Sequence, residues 1–198
     1  MTYLAILLCL GASPSHLPQL EGLSEAAEAW GEPDLILAMA YMESGLKPKV
    51  RSKAGACCWL GILGGKDGNP SCKKLEADTD LCVAVAMHEL GEWSELCGEA
   101  ALDAYNGGKP KCWDGSPARQ KRCEGKRFDY CRSYGRKVRA YQAKIATLRA
   151  IEASELSEVV CVVGRRTFDL LLPKDVAEKV IRRPGRKAKC SYDVEVEP

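Results

Sequence analysis

The chain has no hydrophobic run long enough to cross a membrane. Among its 198 residues, no stretch approaches the roughly 20 consecutive apolar residues that a spanning helix needs. Apolar residues make up 46% of the sequence, which is typical of soluble globular proteins, and the length suits one domain with a small appendage. The sequence therefore predicts a globular protein with no transmembrane span.

Two common site motifs are also missing. No Cys-x-x-Cys pair occurs, and His88-Glu89 is not followed by the second histidine of a zinc-protease helix. The glycine-rich stretch from Gly61 to Cys72 lacks a preceding strand and the Gly-Lys-Ser/Thr of a phosphate-binding loop, so we interpret it as an ordinary loop. We expect no cofactor and no metal, and we place His88 at the surface. Zinc binding is the alternative interpretation of the cysteines.

Cysteine is the residue that the sequence has in excess. Eleven cysteines are too many for an ordinary cytosolic protein, whereas an oxidising compartment converts them into cross-links. Cys9 stands alone, eight lie from Cys57 to Cys131, and Cys161 and Cys190 lie in the tail. Without Cys9 each region holds an even number, but eight cysteines allow 105 connectivities, so pairing in the main region stays open. We expect a secreted or periplasmic protein.

The first residues resemble a secretory signal in part. Leu4 to Leu10 form a short apolar run, and Gly11-Ala12-Ser13 supplies small residues at which a signal peptidase could cut. No basic residue precedes the run, although signal peptides normally have one. Residues 1–15 are therefore a candidate signal peptide, and the alternative is an N-terminal strand or helix packed into the fold.

The most informative stretch runs from Asp34 to Gly45. It is apolar on almost every face, which is typical of a buried helix, while Pro33 suits its first turn and Gly45 its C-terminal cap. Glu43 is exceptional because it places a carboxyl group among apolar neighbours at the negative end of the helix dipole. Desolvation and the dipole both disfavour its charge, so its pKa should be raised, as a general acid requires. The alternative is that Glu43 lies at the helix edge and points into water.

Other periodic patterns place most of the chain in a mainly α domain. Helices are predicted over residues 20–30, from 78 or 79 to 93, over 97–105, and from 128 to about 151. Ser24 or the residues before it are cap candidates for the first, and the last has an apolar stripe of Tyr134, Val138, Tyr141, Ile145 and Leu148. In the tail, Val159–Val163 suits a strand, residues 173–181 a helix, and 190–196 a second strand that pairs with the first. We interpret residues 20–152 as the helical domain and 153–198 as an appendage, either a small module or a flap closed by a Cys161–Cys190 bridge.

Positive charge is concentrated in one segment. Residues 109–139 contain eleven Lys or Arg residues against three acidic ones, whereas residues 20–105 are acidic overall. Such a run most often forms a solvated face, and it could also hold the protein on an anionic cell wall or on nucleic acid. Because no nucleic-acid motif accompanies it, we expect the cell wall as the partner and no nucleic acid.

Three short segments, taken in order, resemble a known family. Glu43-Ser44 ends the apolar helix, Ser52-Lys53-Ala54-Gly55-Ala56-Cys57-Cys58-Trp59-Leu60 follows, and Ala104-Tyr105-Asn106-Gly107-Gly108 comes later. This arrangement is similar to the catalytic domain of soluble lytic transglycosylases, which is related to goose-type lysozyme, and it covers roughly residues 20–148. The middle segment of the family reads Ser-x-x-Gly-Ala-x-Gly-Leu-Met-Gln. Here Cys58 replaces a glycine, and Gly61 replaces the glutamine that contacts substrate in the family.

The resemblance implies a goose-type lysozyme-like fold and cleavage of the β-1,4 bond between N-acetylmuramic acid and N-acetylglucosamine in peptidoglycan. It implies that Glu43 acts as general acid and then base, leaving a 1,6-anhydro product. Tyr105 would lie close to Glu43, with Ser44 and Asn106 in contact with the sugar. Peptidoglycan glycan strands are the implied partner, and we expect a monomer. The implied location is the cell envelope, or a phage that releases or carries the enzyme.

Two alternatives to this activity stay open. The first is a hydrolytic lysozyme, in which a second carboxylate, drawn from Asp67, Asp78 and Asp80, would activate a water molecule. The second is a non-catalytic wall-binding protein on the same fold, which the changes at Cys58 and Gly61 favour.

Overall fold

The structure is a computed structural model that describes residues 1–66, 68–107, 126–151, 155–185 and 187–192, with only the backbone at 107 and 126–132. Its helices are α1 (Tyr3–Cys9), α2 (Leu17–Trp30), α3 (Pro33–Ser44), α4 (Cys72–Ala77), α5 (Thr79–Cys97), α6 (Ala101–Gly107), α7 (Lys126–Arg149) and α8 (Lys174–Arg182). Its strands are β1 (Ala56–Cys57), β2 (Ile62–Leu63), β3 (Leu156–Val163), β4 (Arg166–Pro173) and β5 (Ala188–Tyr192). The fold is mainly α, as predicted. No helix in these ranges is both long and apolar enough to cross a bilayer.

Helix α3 lies at the centre of the helical part. Pro33 begins its first turn, and Gly45 ends it in the left-handed conformation at φ 58°, which glycine adopts without steric cost. Residues 36–40 are fully inaccessible to solvent. The helix packs against α2 and α7. The helix that the sequence predicts around Glu43 is confirmed in position and in burial.

The neighbouring helices lie where they were predicted, but α2 begins earlier than residue 20, and α5 begins at Thr79 as predicted but continues past residue 93 to Cys97. Asp78 caps α5, because its carboxylate accepts the Leu81 N–H at 2.9 Å. Helix α2 begins at Leu17, so Ser24 lies inside it and donates its hydroxyl to the Leu20 carbonyl oxygen at 3.0 Å. Ser24 is therefore not the cap, and the start lies among the residues before it.

The apolar stripe of α7 is buried as predicted. Tyr134, Val138 and Ile145 are almost inaccessible to solvent, while Tyr141 and Leu148 pack at the edge of the core. The stripe faces α3, which α7 contacts along much of its length. Burial of this stripe fixes α7 against the helix that carries Glu43.

The N-terminal residues form part of the core. In α1, Ala5, Ile6 and Leu7 are fully buried, and Thr2 caps the helix by accepting the Ala5 N–H at 3.4 Å. The helix packs against α2, α7, α8 and β4, so it contacts both the helical part and the tail. This is the packed N-terminal helix of the alternative interpretation. Cleavage of residues 1–15 stays a prediction.

The tail folds as a small module of one sheet and one helix. Strand β3 is central and antiparallel to both β4 and β5, with Cys161 opposite Cys190 and the two joined by a disulfide. The predicted strand pair, helix and bridge are present. Strand β4 was not predicted from the sequence. Phe168, Leu170 and Leu172 face the core, but Leu171 on the outer face is also apolar and interrupts the alternation of apolar and polar residues.

Two further disulfides fix the short β1–β2 hairpin. Cys57 is joined to Cys72 at the start of α4, and Cys58 is joined to Cys82 in α5. Cys9 and Cys97 are free thiols. The side chains of Cys112, Cys123 and Cys131 lie outside the described residues.

Candidate active site at the end of α3

Glu43 lies in a cleft where α3, α6 and α7 meet. The cleft encloses about 170 Å³ and is lined by Met42, Glu43, Asn106, Ser133, Tyr134 and Lys137. Helix α3 contributes the first two because its last turn ends there, and the left-handed Gly45 turns the chain away. Glu43 is partly buried, so the interpretation in which it simply points into water from a free helix edge does not hold.

The charge of the Glu43 carboxylate is poorly compensated. Burial raises the pKa of Glu43, and the hydroxyl of Tyr134 beside it opposes this shift. Oε1 of Glu43 and the Tyr134 hydroxyl are both buried, and neither has a hydrogen bond of normal geometry within the described part of the chain. Nor does any described cation form an ion pair with Glu43. The raised pKa expected from the sequence is thus present, with desolvation as its main cause.

The backbone of Gly61, which carries no side chain, lies directly against the Glu43 carboxyl group. A Cβ atom built at Gly61 would lie 2.5 Å from Oε2 of Glu43 and 3.0 Å from Cδ. The backbone of Gly61 is also left-handed, at φ 71°. A glutamine at this position could not coexist with the observed position of Glu43. Gly61, in place of the glutamine of the similar family, therefore leaves free the space that the Glu43 carboxyl group occupies.

Tyr105 acts on this backbone and does not hydrogen-bond to Glu43. Its hydroxyl donates to the Leu60 carbonyl oxygen at 2.7 Å, immediately before Gly61. Burial raises the pKa of Tyr105 well above its usual value, and the charges of Glu89 and Glu43 add to the shift. Tyr105 thus lies close to Glu43, as the resemblance implies, and holds the chain segment that covers it.

The two predicted sugar contacts differ in their placement. Asn106 is exposed and lines the cleft beside Glu43. Ser44 is buried, and its hydroxyl donates to the Ala40 carbonyl oxygen at 2.8 Å within its own helix. The structure therefore brings Asn106 and Glu43 together and leaves Ser44 in the core, away from the cleft lining.

Four residues at or near the cleft were not expected there from the sequence: Ser133, Tyr134, Lys137 and Glu89. Tyr134 and Lys137 come from α7, and burial raises the pKa of Tyr134 far above its usual value, with the charge of Glu43 contributing. Glu89 of α5 accepts a hydrogen bond from Nδ2 of Asn69 at 2.6 Å and lies near enough to Tyr105 for its charge to raise that pKa. The sequence contains little that could have predicted these residues. At Tyr134 the only indication is a polar hydroxyl group within the apolar stripe of α7.

Two of the acids proposed for a water-activating role, Asp78 and Asp80, lie outside the cleft lining. Asp78 is the exposed cap of α5, and Asp80 is exposed in its first turn. Neither lines the cleft. Asp67 lies outside the described residues, as do most residues of the basic segment.

No metal centre was found within the described ranges, where no three His, Cys, Asp or Glu side chains cluster closely enough to hold an ion. Comparison with family models, with curated proteins and with solved structures found no match. The functional interpretation consequently depends on the chain's own residues and on the three motifs.

Proposed function

We propose that the protein is a lytic transglycosylase that cleaves the bond between N-acetylmuramic acid and N-acetylglucosamine in peptidoglycan. The observation that carries this proposal is the Glu43 carboxyl group, which lies in a cleft with a raised pKa and without a compensating cation among the described residues. A carboxylic acid that keeps its proton near neutral pH can protonate a leaving oxygen. The mainly α fold and the family motifs support a goose-type lysozyme-like architecture for the helical part.

In this mechanism Glu43 transfers one proton in each of two steps. It first donates its proton to the glycosidic oxygen as the bond from that oxygen to C1 of N-acetylmuramic acid breaks. The substrate's own N-acetyl oxygen then stabilises the positive charge at C1, as the family resemblance implies, so no protein nucleophile is required. Glu43, now ionised, takes the proton of the C6 hydroxyl while that oxygen bonds to C1, which yields the 1,6-anhydro ring.

The surrounding residues would bind and orient the sugar. Asn106 offers an amide to the substrate from the cleft wall, and Lys137 offers a cation on the opposite helix. The Tyr134 hydroxyl, which has no partner of normal geometry among the described residues, is placed to bind either the Glu43 carboxyl group or a substrate oxygen. The glycan strand is therefore the proposed partner, and three disulfides agree with action in an oxidising envelope compartment.

A hydrolytic lysozyme is the second candidate, and Glu89 is the observation that favours it. Glu89 is a carboxylate near Tyr105, although it does not line the cleft and already accepts a hydrogen bond from Asn69. For an intramolecular acceptor such as the C6 hydroxyl, the effective concentration far exceeds that of an unpositioned water. We therefore favour the transglycosylase outcome.

Mass analysis of the fragments from purified peptidoglycan tests the proposal. Fragments that end in 1,6-anhydro-N-acetylmuramic acid, lighter by one water and without a reducing end, are expected. Only reducing-end fragments, lost again in Glu89→Gln, would establish the lysozyme instead. Binding to peptidoglycan with no fragments at all would identify a non-catalytic wall-binding protein.

A further inference from the structure

We infer that the two disulfides anchored at neighbouring cysteines, Cys57 and Cys58, position Glu43, so that the enzyme is active only when its thiols are oxidised. The inference rests on the proposed function and adds a redox condition to it. We call residues 57–61 the bridge segment, because it starts at the two bridges and ends where the chain touches Glu43. The bridges would be positioning elements, since neither touches the cleft.

The bridge segment is tied down in two directions by adjacent residues. The bridge from Cys57 reaches Cys72 at the start of α4, and the bridge from Cys58 reaches Cys82 inside α5. Cys57, Cys58 and Cys82 are almost inaccessible to solvent. Two covalent links on consecutive residues leave the segment little freedom to shift relative to these helices.

Cys58 has a backbone conformation that its side chain alone would not favour. Its φ is 60°, in the left-handed region where residues other than glycine are uncommon. The family motif has glycine at this position. A glycine would adopt this conformation without steric cost. At Cys58 the covalent link to Cys82 holds the turn in place despite that cost.

The turn positions two backbone groups, one against Tyr105 and one against Glu43. Leu60, fully buried, presents its carbonyl oxygen to the Tyr105 hydroxyl at 2.7 Å. Gly61 follows, and its backbone lies so close to Oε2 of Glu43 that a Cβ atom would collide with it. This backbone covers one side of the carboxyl group and excludes water from it, which raises the pKa of Glu43.

Strand pairing contributes little to holding the hairpin, although Trp59, Leu60 and Ile62 are buried in the core. Strands β1 and β2 contain two residues each, with Ala56 opposite Leu63 and Cys57 opposite Ile62. A two-stranded hairpin of this size is marginally stable by itself. Because this pairing is so short, we expect the bridges to fix the backbone conformation of the segment beyond what core burial alone achieves.

Formation of each bridge is a two-electron oxidation. Two cysteine thiols lose two protons and two electrons to a small disulfide, such as oxidised glutathione, which leaves as two thiols. A chain with these cysteines reduced would have a relaxed bridge segment and a solvated Glu43. The protein would thus stay inactive in a reducing cytosol and become active after oxidation.

The third disulfide offers a matched control. The Cys161–Cys190 bridge joins β3 to β5 in the tail, and no residue of these strands lines the cleft. Its loss should lower stability without changing Glu43. Each of the three bridges also closes a loop of comparable length, since the paired residues are 15, 24 and 29 positions apart.

The experiment compares three paired variants of the full chain after oxidation with glutathione: Cys57→Ser with Cys72→Ser, Cys58→Ser with Cys82→Ser, and Cys161→Ser with Cys190→Ser. Two quantities are measured on the folded fraction: the rate of peptidoglycan cleavage, and the titration of the Glu43 carboxyl carbon by NMR. We expect the first two variants to lose about 10²-fold in rate and to titrate Glu43 at a lower pH. The third should keep the wild-type rate and titration.

Unchanged rates and unchanged titration in both cleft variants would overturn the inference. If those variants do not fold, the Cys161→Ser with Cys190→Ser variant is measured before and after reduction with a small thiol, and an unaltered rate and titration after reduction would overturn the inference equally. Gly61→Ala checks separately that the backbone at this position touches the carboxyl group, because its Cβ must displace Oε2 of Glu43. The titration needs no catalysis. A wild type that cleaves nothing would therefore refute the proposed function while the positioning of Glu43 is still decided by NMR.

Discussion

Asp34 and Glu43 stand at opposite ends of α3, and each has one oxygen that is buried without a hydrogen-bond partner among the described residues. They are nine positions apart, which corresponds to about 14 Å along the helix. Asp34 lies at the positive end of the dipole, and its Oδ2 is 3.1 Å from the Arg149 guanidinium. Glu43 lies at the negative end, and no described cation pairs with it. One helix thus holds one compensated and one uncompensated carboxyl group.

The compensated end has a structural role. Arg149, in the last turn of α7, also donates to the Tyr3 hydroxyl at 2.6 Å and lies over the Tyr3 ring. This contact joins α1, α3 and α7, away from the cleft. The comparison teaches that the Asp34 carboxylate, which joins helices, has a counter-ion, whereas Glu43, the acid of the proposed mechanism, has none among the described residues and has a raised pKa.

The largest effect is expected from a substitution of Glu43, the carboxyl group without a paired cation. Glu43→Gln keeps the size of the side chain but removes the transferable proton, so peptidoglycan cleavage should fall by about 10²- to 10⁴-fold. Stability at neutral pH should not fall, because a neutral amide costs less to bury than a carboxylate. Cleavage assays and thermal unfolding of the same sample check both statements. Near-normal cleavage by a folded variant would remove Glu43 from the mechanism.

The second prediction concerns the opposite end of α3, where Asp34 pairs with Arg149. Arg149→Met leaves Asp34 without its cation, and unfolding should require about 1–2 kcal/mol less, a value reduced because the guanidinium is half exposed. The rate of cleavage per folded molecule should not change. Denaturant unfolding measures the loss, and the double variant with Asp34→Asn should recover part of it. A large loss of rate with intact stability would show that the two ends are not independent.

The third prediction uses pH to separate Glu43 from the rest of the protein. Burial raises its pKa in the folded state, so its favourable contribution is fully present below the unfolded-state pKa and is lost as pH rises through the folded-state pKa. The unfolding free energy of the wild type minus that of Glu43→Gln should therefore decrease with pH across this window. Unfolding at a series of pH values tests this, and an increasing difference would contradict the buried acid. Cleavage should decline over the same range.

The smallest expected effect concerns Tyr134→Phe. The hydroxyl lowers the pKa of Glu43 against the larger effect of burial, so its removal should raise that pKa further and move the alkaline limb of the pH–rate profile to higher pH. Stability should change little, because the hydroxyl is buried without a partner of normal geometry among the described residues. A shift of the limb to lower pH would mean that Tyr134 donates to the neutral acid.

Local patterns predicted much of the fold because they depend on short-range chemistry. The apolar stretch before Gly45 defines α3, and the changed pattern after residue 155 defines the tail with its Cys161–Cys190 bridge. Strand β4 was missed, since Leu171 on its outer face removes the alternation that marks a half-buried strand. The packing of α1 could not be separated from a signal peptide, because an apolar run of that length serves either purpose.

The sequence by itself determined where Glu43 stands: apolar residues at every turn bury the helix, and Gly45 ends it two residues after Glu43. Only the tertiary structure decided what surrounds that group. Tyr134 and Lys137 reach the cleft from about 90 residues further along the chain, and Gly61 reaches it through a turn held by Cys58. The physical reason is that helix formation depends on neighbours within a few residues, whereas the solvation of a carboxyl group depends on every chain segment that packs against it.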